Sequence, residues 1–98
     1  YNLINNDKTV GAKIRVTGNV QRVGYRYFVQ HWAEDFGLRG WVKNKSNGSV
    51  IMQLEGRKDN VEKLLTELKE GTENAVIENI KVDWLRFENK FRNFKVIL

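Results

Sequence analysis

Residues 12–37 read AKIRVTGNVQRVGYRYFVQHWAEDFG, and within them the hydrophobic period changes once. Ala12, Ile14 and Val16 alternate with Lys13, Arg15 and Thr17, the period-two pattern of a half-buried strand. Gly18 ends that strand. A short loop, residues 19–23, leads to Gly24. From Tyr25 to Phe36 the spacing becomes three and four: Tyr25, Phe28, Val29, Trp32, Ala33 and Phe36 share one face of a helix. Gly37 is a natural stop for it. A strand, a tight loop and a helix start are thus packed into one stretch. Loop amides that converge beside a helix N-terminus suit an anion.

The rest of the chain fits around this unit. Gly40–Asn44 and Ser49–Glu55 read as two strands, with the hairpin signal Asn47-Gly48 between them. Val50, Met52 and Leu54 face one side of the second. Gly56 is expected to break it. Val61, Leu64, Leu65 and Leu68 make a helical face closed by Gly71, with Lys63 and Glu67 four apart on the exposed side. Ile80, Val82 and Trp84 alternate as a fourth strand beginning near Val76. Phe94, Val96 and Leu98 alternate as a last one. The order is βαββαβ plus a short extra C-terminal strand. This predicts an α+β two-layer sandwich of ferredoxin-like type, with two helices on one face of an antiparallel sheet and the other face wetter. Residues 1–10 are polar and Asn-rich and are expected to form a flexible leader, with residues 11–98 as the single domain. Such a topology hosts many activities, so the fold alone names none.

Composition removes several chemistries. The 98 residues include no Cys, so disulfides, thiolate nucleophiles and Cys-based zinc sites are excluded, and a reducing cytoplasmic setting fits. No apolar run is long enough to span a membrane. The N-terminus lacks the apolar core of a secretory signal. His31 is the single histidine, mid-helix beside aromatics, and reads as a packing or surface residue. Glu34 and Asp35 are adjacent and diverge on a helix. Without clustered carboxylates or a phosphate-loop GK[ST] motif, neither a two-metal phosphatase nor a nucleoside-triphosphate enzyme is expected. No metal or cofactor is expected from these residue types. The net charge of +5 favours an anionic partner.

Two segments carry candidate chemistry. In residues 18–26, Arg26 falls in the first helical turn, where a cation opposes the helix dipole. An anion held between its guanidinium fork and the loop would account for that placement. On spacing alone, an ordinary surface Arg in a glycine-bearing turn is the commoner reading. In residues 40–50, Asn44 sits at a strand end before the hairpin turn. Its amide can donate and accept, and so could orient a water. By itself it also reads as a plain turn residue.

Together the two segments resemble the acylphosphatase family, whose pattern is close to G-x-V-Q-G-V-G-[FY]-R, then a helix, then G-[WY]-V-x-N-x-x-x-G-[ST]-V. Gly18, Val20, Gln21, Val23, Gly24, Tyr25 and Arg26 match the first part. Gly40, Trp41, Val42, Asn44, Gly48, Ser49 and Val50 match the second. Ala33, Gly37 and Leu38 sit where the family's helix ends. The likeness runs from about Lys13 to Leu98. It implies hydrolysis of a small-molecule acyl phosphate at its carboxyl–phosphate bond, with inorganic phosphate as product and inhibitor. It implies Arg26 as the phosphate-binding Arg and Asn44 as the residue that orients the water. The phosphate loop would be Gly18, Asn19, Val20, Gln21, Arg22, Val23 and Gly24, acting through main-chain amides. The resemblance further implies in-line attack by water without a metal or a covalent intermediate, with the bound phosphate taking the proton. Catalysis of this kind is positioning plus charge stabilisation.

One position departs from the pattern. Arg22 stands where the family usually has Gly, which tolerates positive φ. A left-handed Arg there would cost roughly 1 kcal/mol. Alternatively the loop is reshaped, or a second cation is placed beside the site. Lys45 replaces a frequent Thr, with smaller consequences.

The alternative reading is a non-catalytic ferredoxin-like module that binds nucleic acid or another anion. RNA-recognition domains share the topology, but their central strand carries aromatics, and Ser49–Glu55 has none. Nucleic acid is therefore not the expected partner. A third reading is an anion-binding domain of this type within a larger maturation system. The expected state is a monomer free of the membrane.

Overall fold

Alternation along the first strand sends Ala12, Ile14 and Val16 inward, where none is exposed, and leaves Lys13 and Arg15 on the outside. A computed structural model describes residues 8–98. It contains, in chain order, β1 (Thr9–Asn19), α1 (Tyr25–Asp35), β2 (Arg39–Asn44), β3 (Val50–Arg57), α2 (Lys58–Glu70), β4 (Val76–Leu85) and β5 (Phe94–Ile97). The strands form one sheet in the order β4-β1-β3-β2-β5.

β1 lies between β3 and β4 and is antiparallel to both, and β3 is antiparallel to β2. Each helix therefore links two strands that run the same way with a third between them. This is the ferredoxin-like arrangement expected from the alternating periods. β5 differs from its four companions: it pairs with β2 in parallel, Gly40 opposite Phe94 and Val42 opposite Val96. The sheet is thus mixed, antiparallel through four strands with one parallel edge. The alternation of Phe94 and Val96 reveals a strand but carries no direction.

The core is the layer between sheet and helices. Val29 and Ala33 of α1, and Val61, Leu64 and Leu68 of α2, pack with Ile14, Val16, Val42, Val50, Met52 and Leu54 of the sheet. Each fully buried aliphatic side chain contributes about 1.5–3 kcal/mol. Trp32 and Phe36 stack with ring centroids 5.5 Å apart along the flank of α1. The helices end at Gly37 and Gly71, as the sequence predicts.

Several boundaries differ from the sequence reading: β1 runs through Gly18 to Asn19, β2 begins at Arg39 and β3 begins at Val50. The first seven residues of the expected leader, 1–10, lie outside the described residues. Thr9 and Val10, however, belong to β1 and pair with Arg57 and Gly56. Val10 extends the inward alternation across Gly11, whose low strand propensity hides the continuity. Gly56 does not break β3, which runs to Arg57. A Cβ at Gly56 would fall 2.5 Å from Leu38 Cδ2, so the missing side chain makes room for the buried Leu38. At the other end, Leu98 lies beyond β5 and is 91% exposed.

Candidate active site

The loop after β1 is shaped by Gly18, the next-to-last residue of the strand. β1 and β4 slip register between Thr17 and Gly18. Gly18 has φ 131°, and a Cβ there would lie 2.0 Å from the carbonyl oxygen of Val76. Only glycine fits that approach. The chain then crosses the end of the sheet, pinned by Val20, which is buried. Arg22 follows with φ 64° and Gly24 with φ 77°. Among the described residues, the N–H groups of Gln21 to Gly24 have no main-chain acceptor. α1 begins at Tyr25 with no side-chain cap and no acidic residue in its first turn.

Two anchors fix α1 at this end. Tyr25 is buried, and its hydroxyl donates to the carbonyl oxygen of Leu68 on α2 at 3.1 Å. Burial pushes its phenol well above the usual tyrosine range. Arg26 points the other way, and its Nη1 donates to the carbonyl oxygen of Ile97 in β5 at 2.8 Å. One nitrogen of the fork is thereby committed, and the remaining donors keep a set orientation.

Asn44 arrives from the other half of the motif. It is the last residue of β2 and pairs with Val50. The turn beyond it closes through Lys45 N–H to the Ser49 carbonyl at 2.8 Å and Gly48 N–H to the Lys45 carbonyl at 3.1 Å. Asn47 Oδ1 accepts from the Ser49 amide and hydroxyl at 3.1 and 2.6 Å. Asn47 therefore serves the turn, whereas Asn44 does not. The Oδ1 of Asn44 is buried and has no hydrogen-bond partner among the described residues. A buried acceptor of this kind normally takes a hydrogen bond from a protein group or a water.

The two halves are stitched together. Gln21 Nε2 donates to the carbonyl oxygens of both Lys45 and Ser49, at 2.7 and 2.9 Å. Sequence reasoning credited Gln21 only with a loop amide. Its side chain instead ties the loop to the hairpin that carries Asn44.

Between the halves lies a pocket of about 280 Å³ lined by Val20, Arg22, Gly24, Tyr25, Arg26, Tyr27 and Asn44. Of the residues singled out from sequence, it gathers Val20, Arg22, Gly24, Arg26 and Asn44. Gly18, Asn19, Gln21 and Val23 do not line it. Tyr27 does, although no sequence signal pointed to it, and neither did any point to the Ile97 carbonyl. Two arginines and no Asp or Glu are among the residues that line the pocket. Among the described residues, no three His, Asp or Glu side chains gather elsewhere as a ready metal ligand set. No helix is long and apolar enough to cross a membrane.

Comparison with known proteins identifies the family and the fold. The family model for acylphosphatase matches residues 12–96. The acylphosphatase of Salinibacter ruber is 40% identical over 90 residues, spanning 92% of this chain and 93% of the relative. The crystal structure of acylphosphatase from Bacillus subtilis superposes with a TM-score of 0.87 at 32% identity, covering 91% of this chain and 99% of that one. Full-length HypF, in a phosphate- and nucleotide-bound form, superposes with a TM-score of 0.81 at 27% identity. There the match covers 92% of this chain and 12% of HypF. With strand order, paired motifs and relatives in agreement along nearly its whole length, the chain belongs to the acylphosphatase family.

Proposed function

We propose that this enzyme hydrolyses acyl phosphates by in-line attack of water on phosphorus, with Arg26 and the loop amides holding the phosphate and Asn44 holding the water. The observation that carries the reading is the meeting of Arg26 and Asn44, from different elements, on one small pocket, with the Asn44 Oδ1 buried and unpartnered. A water donating to that oxygen would satisfy it and present a lone pair to the pocket. The uncapped start of α1 and the amides of Gln21–Gly24 supply donors for phosphate oxygens.

The chemistry balances without a further reagent. The water oxygen bonds to phosphorus as the bond between phosphorus and the carboxylate oxygen breaks. The products are a carboxylate and inorganic phosphate, and the phosphate takes up the water's proton. The carboxylate is a good leaving group, so no strong general acid is required. The free guanidinium donors of Arg26 would stabilise charge on the equatorial oxygens. Inorganic phosphate, as product, would compete for the same donors. We further infer a monomeric enzyme in the cytoplasm, in keeping with the absence of Cys.

The test is turnover of benzoyl phosphate in EDTA. We expect hydrolysis that free phosphate inhibits competitively. Arg26→Ala should remove both phosphate binding and turnover. Asn44→Ala should keep phosphate binding and lose turnover. An Asn44→Ala enzyme as fast as the parent would falsify the role given to Asn44. Absence of turnover in the parent, with salt-dependent RNA binding in its place, would favour the non-catalytic alternative.

A further inference from the structure

The pocket holds a second cation whose position is costly. Arg22 is exposed and left-handed at φ 64°. That region disfavours a side chain by roughly 1–2 kcal/mol. Such strain persists where the surroundings hold it, and it concentrates where ligands bind. Arg22 makes no hydrogen bond or ion pair among the described residues, whereas Arg26 is held by the Ile97 carbonyl. Both line one pocket of about 280 Å³ whose other lining residues are uncharged. Two arginines and no Asp or Glu line the pocket, so a ligand with a second anionic group would find a cation for each of its charges.

We propose that Arg22 selects, among acyl phosphates, those whose acyl portion carries a second negative charge, such as a free carboxylate. The inference rests on the proposed acyl-phosphate chemistry and extends it to the leaving group. In that chemistry the phosphate oxygens are held by Arg26, the loop amides and the uncapped helix start. Arg22 is then left for the part of the substrate that departs. A guanidinium pairs with a carboxylate through two parallel hydrogen bonds. On an exposed side chain that pairing is screened by salt, so the selectivity fades as ionic strength rises.

The experiment compares two phosphonates that resist hydrolysis: succinylphosphonate, with a free carboxylate beside the phosphonate, and benzoylphosphonate, without one. Calorimetry on the intact chain gives the ratio of their dissociation constants, and no turnover is needed. We expect the parent to prefer succinylphosphonate. Arg22→Gln, which keeps the bulk and the strained backbone, should reduce that preference about tenfold, as loss of a charge-assisted hydrogen bond does. Arg22→Gly, which relieves the strain, should reduce it equally, and Arg22→Lys should retain most of it. A ratio within twofold of the parent's in both Arg22→Gln and Arg22→Gly would overturn the proposal. So would equal weakening of the two ligands, which would place Arg22 on the phosphate instead. A parent that binds both phosphonates yet turns over neither succinyl phosphate nor benzoyl phosphate counts against the hydrolytic reading alone.

Discussion

Arg26, in the first turn of α1, is held through Nη1 by the main-chain oxygen of Ile97, 2.8 Å away in the final strand. The residue proposed to grip phosphate is thus oriented by a strand more than seventy positions later in the chain. β5 also hangs on the sheet by a single neighbour, β2. Ending the chain after Val96 would remove the acceptor while keeping the buried Phe94 anchor. Phosphate affinity, read as competitive inhibition, should fall about tenfold, the worth of one charge-assisted hydrogen bond. Leu98→Ala, at an exposed position beyond the strand, should leave it unchanged. Affinity within twofold of the parent's after truncation would show that Arg26 orients itself without β5.

Gln21 offers a different kind of support, because its one Nε2 bridges two carbonyl oxygens of the hairpin. Gln21→Ala should lower stability by about 1–2 kcal/mol in urea unfolding, as two part-buried carbonyl oxygens each lose one of their two donors. It should also lower kcat, since the loop and Asn44 lose their common register. Gln21→Glu is the sharper variant: it keeps the size but sets a carboxylate against two carbonyl oxygens. We expect it to be less stable than Gln21→Ala. The opposite ranking would mean that the side chain merely fills space.

Much of this was legible in the amino-acid order, and the misses have physical causes. The change of period after Gly18 and the alternation around Val50, Met52 and Leu54 gave the elements and their inward faces, because one-sided burial imposes those periods. The paired motifs led to Arg26 and Asn44, which the fold brings to one pocket. The parallel direction of β5 was not legible, since alternation is the same in either direction. Gly56 looked like a break because glycine often is one; only the position of Leu38 reveals a close approach. The Ile97 carbonyl and the side chain of Gln21 act through long-range main-chain bonds. A carbonyl oxygen leaves no signature in residue type.

The left-handed Arg22 makes a prediction about stability that is separate from selectivity. Arg22→Gly removes the penalty of a side chain at φ 64° and gives back part of the gain through the greater unfolded-state entropy of glycine. The net should be a stabilisation of about 0.5–1 kcal/mol, seen as a rise of several degrees in thermal midpoint. Arg22→Ala keeps a Cβ in the same backbone and should show no such gain. If Arg22→Ala were as stabilised as Arg22→Gly, the cost would lie in the charge and not in the backbone.

Tyr25 sets the response of the fold to alkali. Burial raises its phenol in the folded protein, whereas the unfolded chain titrates near the ordinary value of about 10. Above that pH the unfolded state gives up the proton and the folded state keeps it. The folded state then binds more protons, so stability falls as pH rises and is fully present only below about 10. The hydrogen bond to the Leu68 carbonyl adds to the effect, because only the protonated phenol can donate. Tyr25→Phe should cost about 1 kcal/mol at neutral pH through loss of that bond. It should also flatten the alkaline limb. Denaturant midpoints collected from pH 7 to 11 would test both arms. A parent and a Tyr25→Phe variant that decline in parallel above pH 10 would assign the alkaline loss to other groups.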